Sequence, residues 1–103
     1  MKSTIIAEIG SNWEGNMNTA KKIIKECKKA GADIVKFQMW RAKDLYSETH
    51  SEWNTIKKSE LSFKKAEKIK TICDNLKIEF MCSVFYPEAV TFLKSLNVKR
   101  YKV

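Results

Sequence analysis

Four short apolar runs, separated by amphipathic segments of helical length, constrain this chain more than any other feature. The runs are TIIAEIG (residues 4–10), ADIVKFQMW (32–40), IEFMCSVFY (78–86) and a last VKRYKV (98–103). A dozen or more residues between strands is the length that a parallel crossover needs, whereas an antiparallel pair closes with a short turn. The expected order is therefore β-α-β-α-β-α-β. It describes an α/β protein with a parallel sheet whose outer face is covered by helices.

The intervening segments support this. NTAKKIIKECKKAG places Ala20, Ile23, Ile24, Cys27 and Ala30 at helical spacing, with Asn18 as the N-cap and Gly31 as the stop. A second helix begins near Ser62 and carries Ala66, Ile69, Ile72, Cys73 and Leu76 on one face. Pro87 suits the first turn of a third, which bears Ala89, Val90, Leu93 and Leu96 and stops at Asn97. The stretch from Arg41 to about Glu60 reads as a long polar connection.

Side chains alternate between the two faces of a strand, which sorts the polar residues. Ile5, Ala7 and Ile9, then Val35, Phe37 and Met39, then Ile78, Phe80, Cys82 and Val84 form apolar faces suited to lie under helices. The opposite faces carry Glu8, then Lys36 and Gln38, then Ser83 and Phe85, and Lys102 in the last run. One lysine late in a strand ordinarily marks a solvated sheet end. Four strands repeating the placement point instead to a cavity, because buried charges are costly and do not accumulate without a use. In a (β/α)8 barrel one face of every strand looks into the lumen, and chemistry gathers at the C-terminal strand ends.

The formal charge of +8, from 20 Lys+Arg against 12 Asp+Glu, would favour an anionic partner. KKIIKECKK and FKKAEKIK, however, spread their lysines along polar helix faces and do not interleave them with aromatics. Nucleic acid is therefore not expected as a partner, and a small basic binding module without catalysis is the alternative from another class. Cys27, Cys73 and Cys82 are odd in number and sit in apolar patterns, as reduced core thiols do. No run approaches the roughly 18 apolar residues of a membrane span, so the expectation is a soluble, cytoplasmic protein with no membrane partner.

The blocks IIAEIGSNWEGN, AGADIVKFQMWRAKDLY, IEFMCSVFYPEAVTFLKSLNV and the final YKV resemble, in order, the N-terminal part of the sialic acid synthase family, which makes N-acetylneuraminate and related nonulosonates. The resemblance implies a TIM-type (β/α)8 barrel. It also implies an enzyme that condenses phosphoenolpyruvate with an open-chain N-acetylmannosamine-type sugar and releases phosphate, with a divalent metal (Mn2+ or Mg2+) and as a homodimer when full length. By the same resemblance Glu8 handles a proton, Lys36 and Lys102 bind phosphoenolpyruvate, and Gln38, Ser83 and Phe85 belong to the sugar site. Another phosphoenolpyruvate-dependent 3-deoxy sugar acid synthase is the nearest alternative enzyme.

Two positions depart from the family pattern. The loop after the first strand commonly reads N-H-N-G, whereas here it is Asn12, Trp13, Glu14 and Gly15; Tyr86 stands where many members have an aspartate. Because such a barrel takes roughly 200 residues or more, the 103 residues are expected to be its first half, a partial domain of four strands and three helices, inactive alone and with the metal ligands elsewhere. His50, the one histidine, is expected to be solvated.

Overall fold

The computed structural model of the protein describes residues 3–103. It runs β1 (Ile6–Gly10), α1 (Met17–Lys29), β2 (Ile34–Met39), α2 (Ala42–Leu45), α3 (Trp53–Ser59), α4 (Phe63–Leu76), β3 (Glu79–Val84), α5 (Pro87–Ser95) and β4 (Tyr101–Lys102). The strands form one sheet in the order β1-β2-β3-β4, and every pairing is parallel. Successive parallel strands joined by helical crossovers give the expected α/β architecture, the arrangement found in half of a (β/α)8 barrel.

Local chemistry sets most element ends. Asn16, not Asn18, caps α1: its extended backbone lets the side-chain oxygen accept from the Thr19 N–H at 3.0 Å, while Asn18 already lies inside the helix. Lys28 and Lys29 close the last turn, where a cation complements the helix dipole. Ser62 caps α4 by accepting from the Lys65 N–H at 3.2 Å, and Lys77 ends it in a left-handed conformation. Pro87 occupies the first turn of α5, and Asn97 follows that helix at φ 61°.

The segment from Arg41 to Glu60 is not a plain connection, since it holds α2 and α3. Asp44 Oδ2 accepts from Arg41 Nε at 2.7 Å across the single turn of α2. Glu60 ties the two ends of the segment together by accepting from the Ala42 N–H at 2.8 Å and from Lys57 Nζ at 3.2 Å. Helices of four and seven residues span too few turns to show apolar periodicity, which is why the sequence pattern misses them.

One core fills the space between sheet and helices. Val35, Phe37, Met39, Phe80 and Cys82 from the strands meet Ala20 and Ile24 of α1, Ala66, Ile69 and Cys73 of α4, and Ala89 and Leu93 of α5, all buried. Phe37 is its hub, 5.7 Å from Phe80 and edge-on to Trp13 at 6.4 Å between ring centroids. Truncating such a residue to alanine costs about 3–5 kcal/mol. Ile5 does not join this core: it precedes β1 and is exposed. The three cysteines are free, Cys73 and Cys82 buried and Cys27 partly so. Burial pushes the thiols of Cys73 and Cys82 up to about 12.

Candidate active site

The opposite face of the sheet carries the polar residues, and strand register decides which of them meet. Glu8 of β1 is paired with Lys36 of β2, and this brings Lys36 Nζ to 3.3 Å from Glu8 Oε1. The lysine side chain is 15% exposed and the glutamate 50%. An ion pair with one partner half in water is worth about 0–1 kcal/mol. It orients the ammonium group without contributing enough to the fold to be needed there, so an anionic ligand can compete for it.

One row further toward the C-terminal strand ends, Gln38 pairs with Ser83 and Ser83 with Lys102, so an amide, a hydroxyl and a second ammonium stand side by side on three strands. Phe85 follows at the end of β3 and is exposed. Glu8, Lys36, Gln38, Ser83, Phe85 and Lys102 all line one concavity of about 390 Å3. It holds one carboxylate against two ammonium groups, a net positive balance suited to a small, multiply charged anion. The Glu8 carboxylate is also felt behind the sheet, where after burial it is the second cause of the raised Cys82 thiol.

The end of β1 shapes the rim. Register jumps from Glu8 opposite Lys36 to Gly10 opposite Phe37, a bulge that inserts Ile9 and turns the chain off the sheet. Gly10 has φ 58°, a left-handed conformation that favours glycine, and a Cβ there would stand in ordinary contact with the Gln38 amide nitrogen at 3.5 Å. Beyond it, Ser11 Oγ accepts from the Trp40 indole N–H at 3.2 Å and ties the loop to the end of β2.

Trp13, at the position where the resemblance leads one to expect histidine, is fully buried against Phe37, with Lys65 Nζ 5.5 Å from its ring centroid. It packs in the core beneath the loop and does not line the concavity. Tyr86 does not line it either: its ring lies 4.1 Å under the Arg41 guanidinium and 6.4 Å from Phe63, and burial pushes its phenol up. His50 is exposed, and its Nδ1 accepts from the Glu52 N–H at 3.0 Å. Among the described residues no three His, Cys, Asp or Glu side chains come together as a metal site.

Sequence parity did not reveal a second cavity of about 370 Å3, which adjoins the first through Gln38 and Phe85 and is walled by Trp40, Tyr46 and residues of α3. Beyond Gln38 and Phe85, only Trp40 could have been read from the sequence, since it shares the strand face of Lys36 and Gln38. A depression at the other end of the strands, around Lys70, Asp74 and Lys99, lies on the face that in barrels serves stability. No helix among the described residues is long and apolar enough to cross a membrane.

A family model described as the NeuB family matches residues 23–103. Over 117 aligned residues the chain is 33% identical to the N,N'-diacetyllegionaminic acid synthase of Legionella pneumophila, covering 100% of this chain and 33% of that protein. Over 115 residues it is 36% identical to the N-acetylneuraminate-9-phosphate synthase of Drosophila melanogaster, covering 96% of this chain and 30% of that one. The crystal structure of N-acetylneuraminic acid (sialic acid) synthetase from Leptospira borgpetersenii serovar Hardjo-bovis, in complex with citrate, superposes with a TM-score of 0.89 at 28% identity, over 100% of this chain and 36% of that one. The chain thus spans about a third of the length of the relatives it matches.

Proposed function

The chain belongs to the NeuB family, and from that premise we propose that its charged concavity binds phosphoenolpyruvate for condensation with an N-acetylated amino sugar, giving a sialic acid or related nonulosonate. In that reaction the methylene carbon of phosphoenolpyruvate bonds to the aldehyde carbon of the open-chain sugar. One water is consumed and phosphate leaves.

The observation that carries this reading is the convergence of Glu8, Lys36, Gln38, Ser83 and Lys102, drawn from four strands, on one concavity. Lys36 and Lys102 neutralise and orient the phosphate and carboxylate of phosphoenolpyruvate. Glu8, already 3.3 Å from Lys36, is placed to move a proton as the new bond forms. Gln38 and Ser83 offer an amide and a hydroxyl to the sugar, and Phe85 offers it an apolar surface. The citrate complex of the Leptospira relative is in keeping with a site for a multiply charged carboxylate.

A divalent cation, Mn2+ or Mg2+, is part of the proposed reaction, in which it would polarise the aldehyde. The described residues of this chain do not form a site that fits one, so every role above rests on side chains. By the same reading the 103 residues bind substrate without turning it over, and the family resemblance adds a cytoplasmic homodimer as the working form.

Binding is therefore the test. Phosphoenolpyruvate titrated into the chain and followed calorimetrically should bind, and Lys36→Ala or Lys102→Ala should each weaken it about ten- to a hundredfold, the loss of one charge-assisted contact. Affinity unchanged in both variants overturns the assignment. Glu8→Gln should leave binding nearly intact, since its part is in proton movement.

A further inference from the structure

The cavity beside the charged concavity differs from it in chemistry. Its lining, from Ser11 through Trp40 to Ser59 of α3, contains no charged side chain. Two of the charged groups that flank it in sequence are engaged elsewhere, Arg41 with Asp44 at 2.7 Å and with the Tyr86 ring, and Lys57 with Glu60 at 3.2 Å. What remains is an apolar wall of Trp40, Leu45 and Ile56, interrupted by the hydroxyls of Tyr46 and Thr55 and the amide of Gln38. Parts of the wall are fixed in advance, since the Trp40 indole is held by Ser11 at 3.2 Å and Ser59 Oγ donates to the Thr55 carbonyl at 3.1 Å.

Such a surface receives an uncharged substituent well, its apolar part on Trp40 and Ile56 and its hydroxyl or amide groups paired to hydroxyl and amide. A phosphate there would lose water and meet no cation, a cost that desolvated charges do not recover without a partner. The continuity of the two cavities through Gln38 and Phe85 makes this the direction in which a sugar would extend from a reacting end near Lys36. The relatives include synthases named for both kinds of product, diacetylated and phosphorylated.

We propose that the neutral cavity receives the non-reacting end of the sugar and selects an uncharged substituent there over a phosphorylated one. The inference rests on the reading of the charged concavity as the phosphoenolpyruvate site, and the experiment separates the two. In 15N-labelled chain, phosphoenolpyruvate should first move the Lys102 amide signal. N-Acetylmannosamine added next should move the Trp40 indole N–H signal, and N-acetylmannosamine 6-phosphate should do so about tenfold more weakly. Thr55 is exposed, so Thr55→Lys can place an ammonium group in the cavity without disturbing the core, and it should cancel the preference by raising affinity for the phosphate ester about tenfold. An unmoved Trp40 indole while Lys102 responds, equal or tighter binding of the phosphate ester by the parent chain, or an undiminished preference in Thr55→Lys each overturns the inference alone. An unmoved Lys102 amide overturns the phosphoenolpyruvate assignment and the inference with it.

Discussion

Gly15 sits where the loop after β1 touches the end of α3, and replacing it with alanine should loosen that helix more than backbone strain alone explains. Gly15 has φ 74°, and a Cβ there would be pressed into the Lys58 carbonyl, 2.8 Å from its carbon and closer still to its oxygen. The obstacle is backbone, so α3 has to move as a unit. Gly31 supplies the control: its φ is 95° but nothing lies within 4 Å of its missing Cβ. A non-glycine residue in this region costs about 1–2 kcal/mol, and the stiffer unfolded chain returns about 0.4–1 kcal/mol of that. Gly31→Ala should therefore destabilise by about 1 kcal/mol. Gly15→Ala carries the same strain plus an overpacking cost of about 1–3 kcal/mol. Urea unfolding at equal protein concentration, followed by far-UV circular dichroism, measures both. With a slope of about 1 kcal/mol per molar for a chain this small, the two midpoints should differ by about 1 M or more, Gly15→Ala being the lower. Coincident midpoints would mean that α3 is not pinned at Gly15.

Further outcomes follow from burial and from the sheet edges. Cys73 and Cys82 are pushed up by burial to about 12 from the ordinary 9.0, so at pH 8 a soluble alkylating reagent should modify Cys27 first and reach the other two only in denaturant; equal labelling of all three by peptide mass spectrometry would contradict their burial. The folded chain holds those protons above the pH at which the unfolded chain releases them, so stability should be level below about pH 8 and fall as pH rises through 9, by up to about 1.4 kcal/mol per pH unit for each thiol. Among the described residues β1 pairs only with β2 and β4 only with β3, and Ile6, Phe85 and Val103 are exposed beside those edges. The 103-residue polypeptide should therefore self-associate, and light scattering that shows a monodisperse monomer of 12.0 kDa would refute this.

Strand parity made the charged half of the site legible. A side chain two residues along a strand returns to the same face, so Lys36 and Gln38 had to look one way once Val35, Phe37 and Met39 were buried on the other. Parity could not supply the pairing of Glu8 with Lys36 or the row that joins Gln38, Ser83 and Lys102, because these depend on register between strands, nor the bulge that follows Glu8. The N-cap of α1 was displaced by two residues for a similar reason. Asn16 and Asn18 are equal candidates by type, and only the loop geometry that makes Asn16 extended decides between them.

The neutral half of the site stayed hidden for a different physical reason. A lysine in an apolar strand stands out because burying it without a partner is expensive, so its presence asks for an explanation. Trp40, Leu45, Tyr46 and Ile56 raise no such question, since an aromatic or aliphatic residue is as well placed in a core as in a pocket wall. What makes them a wall is tertiary. The loop of β1 turns at its bulge, Gly15 lets it lie against the Lys58 carbonyl, and α3 is thereby set across the strand ends with Thr55 and Ile56 facing Trp40 and Phe85. Trp13 shows the same limit from the other side. It departs from a family pattern in a loop beside the site, yet its full burial against Phe37 makes it part of the support beneath that loop. Selectivity toward the sugar should then respond to changes in packing, at Gly15 or Trp13, that touch no substrate, whereas affinity for phosphoenolpyruvate should respond chiefly to the charged residues of the strands.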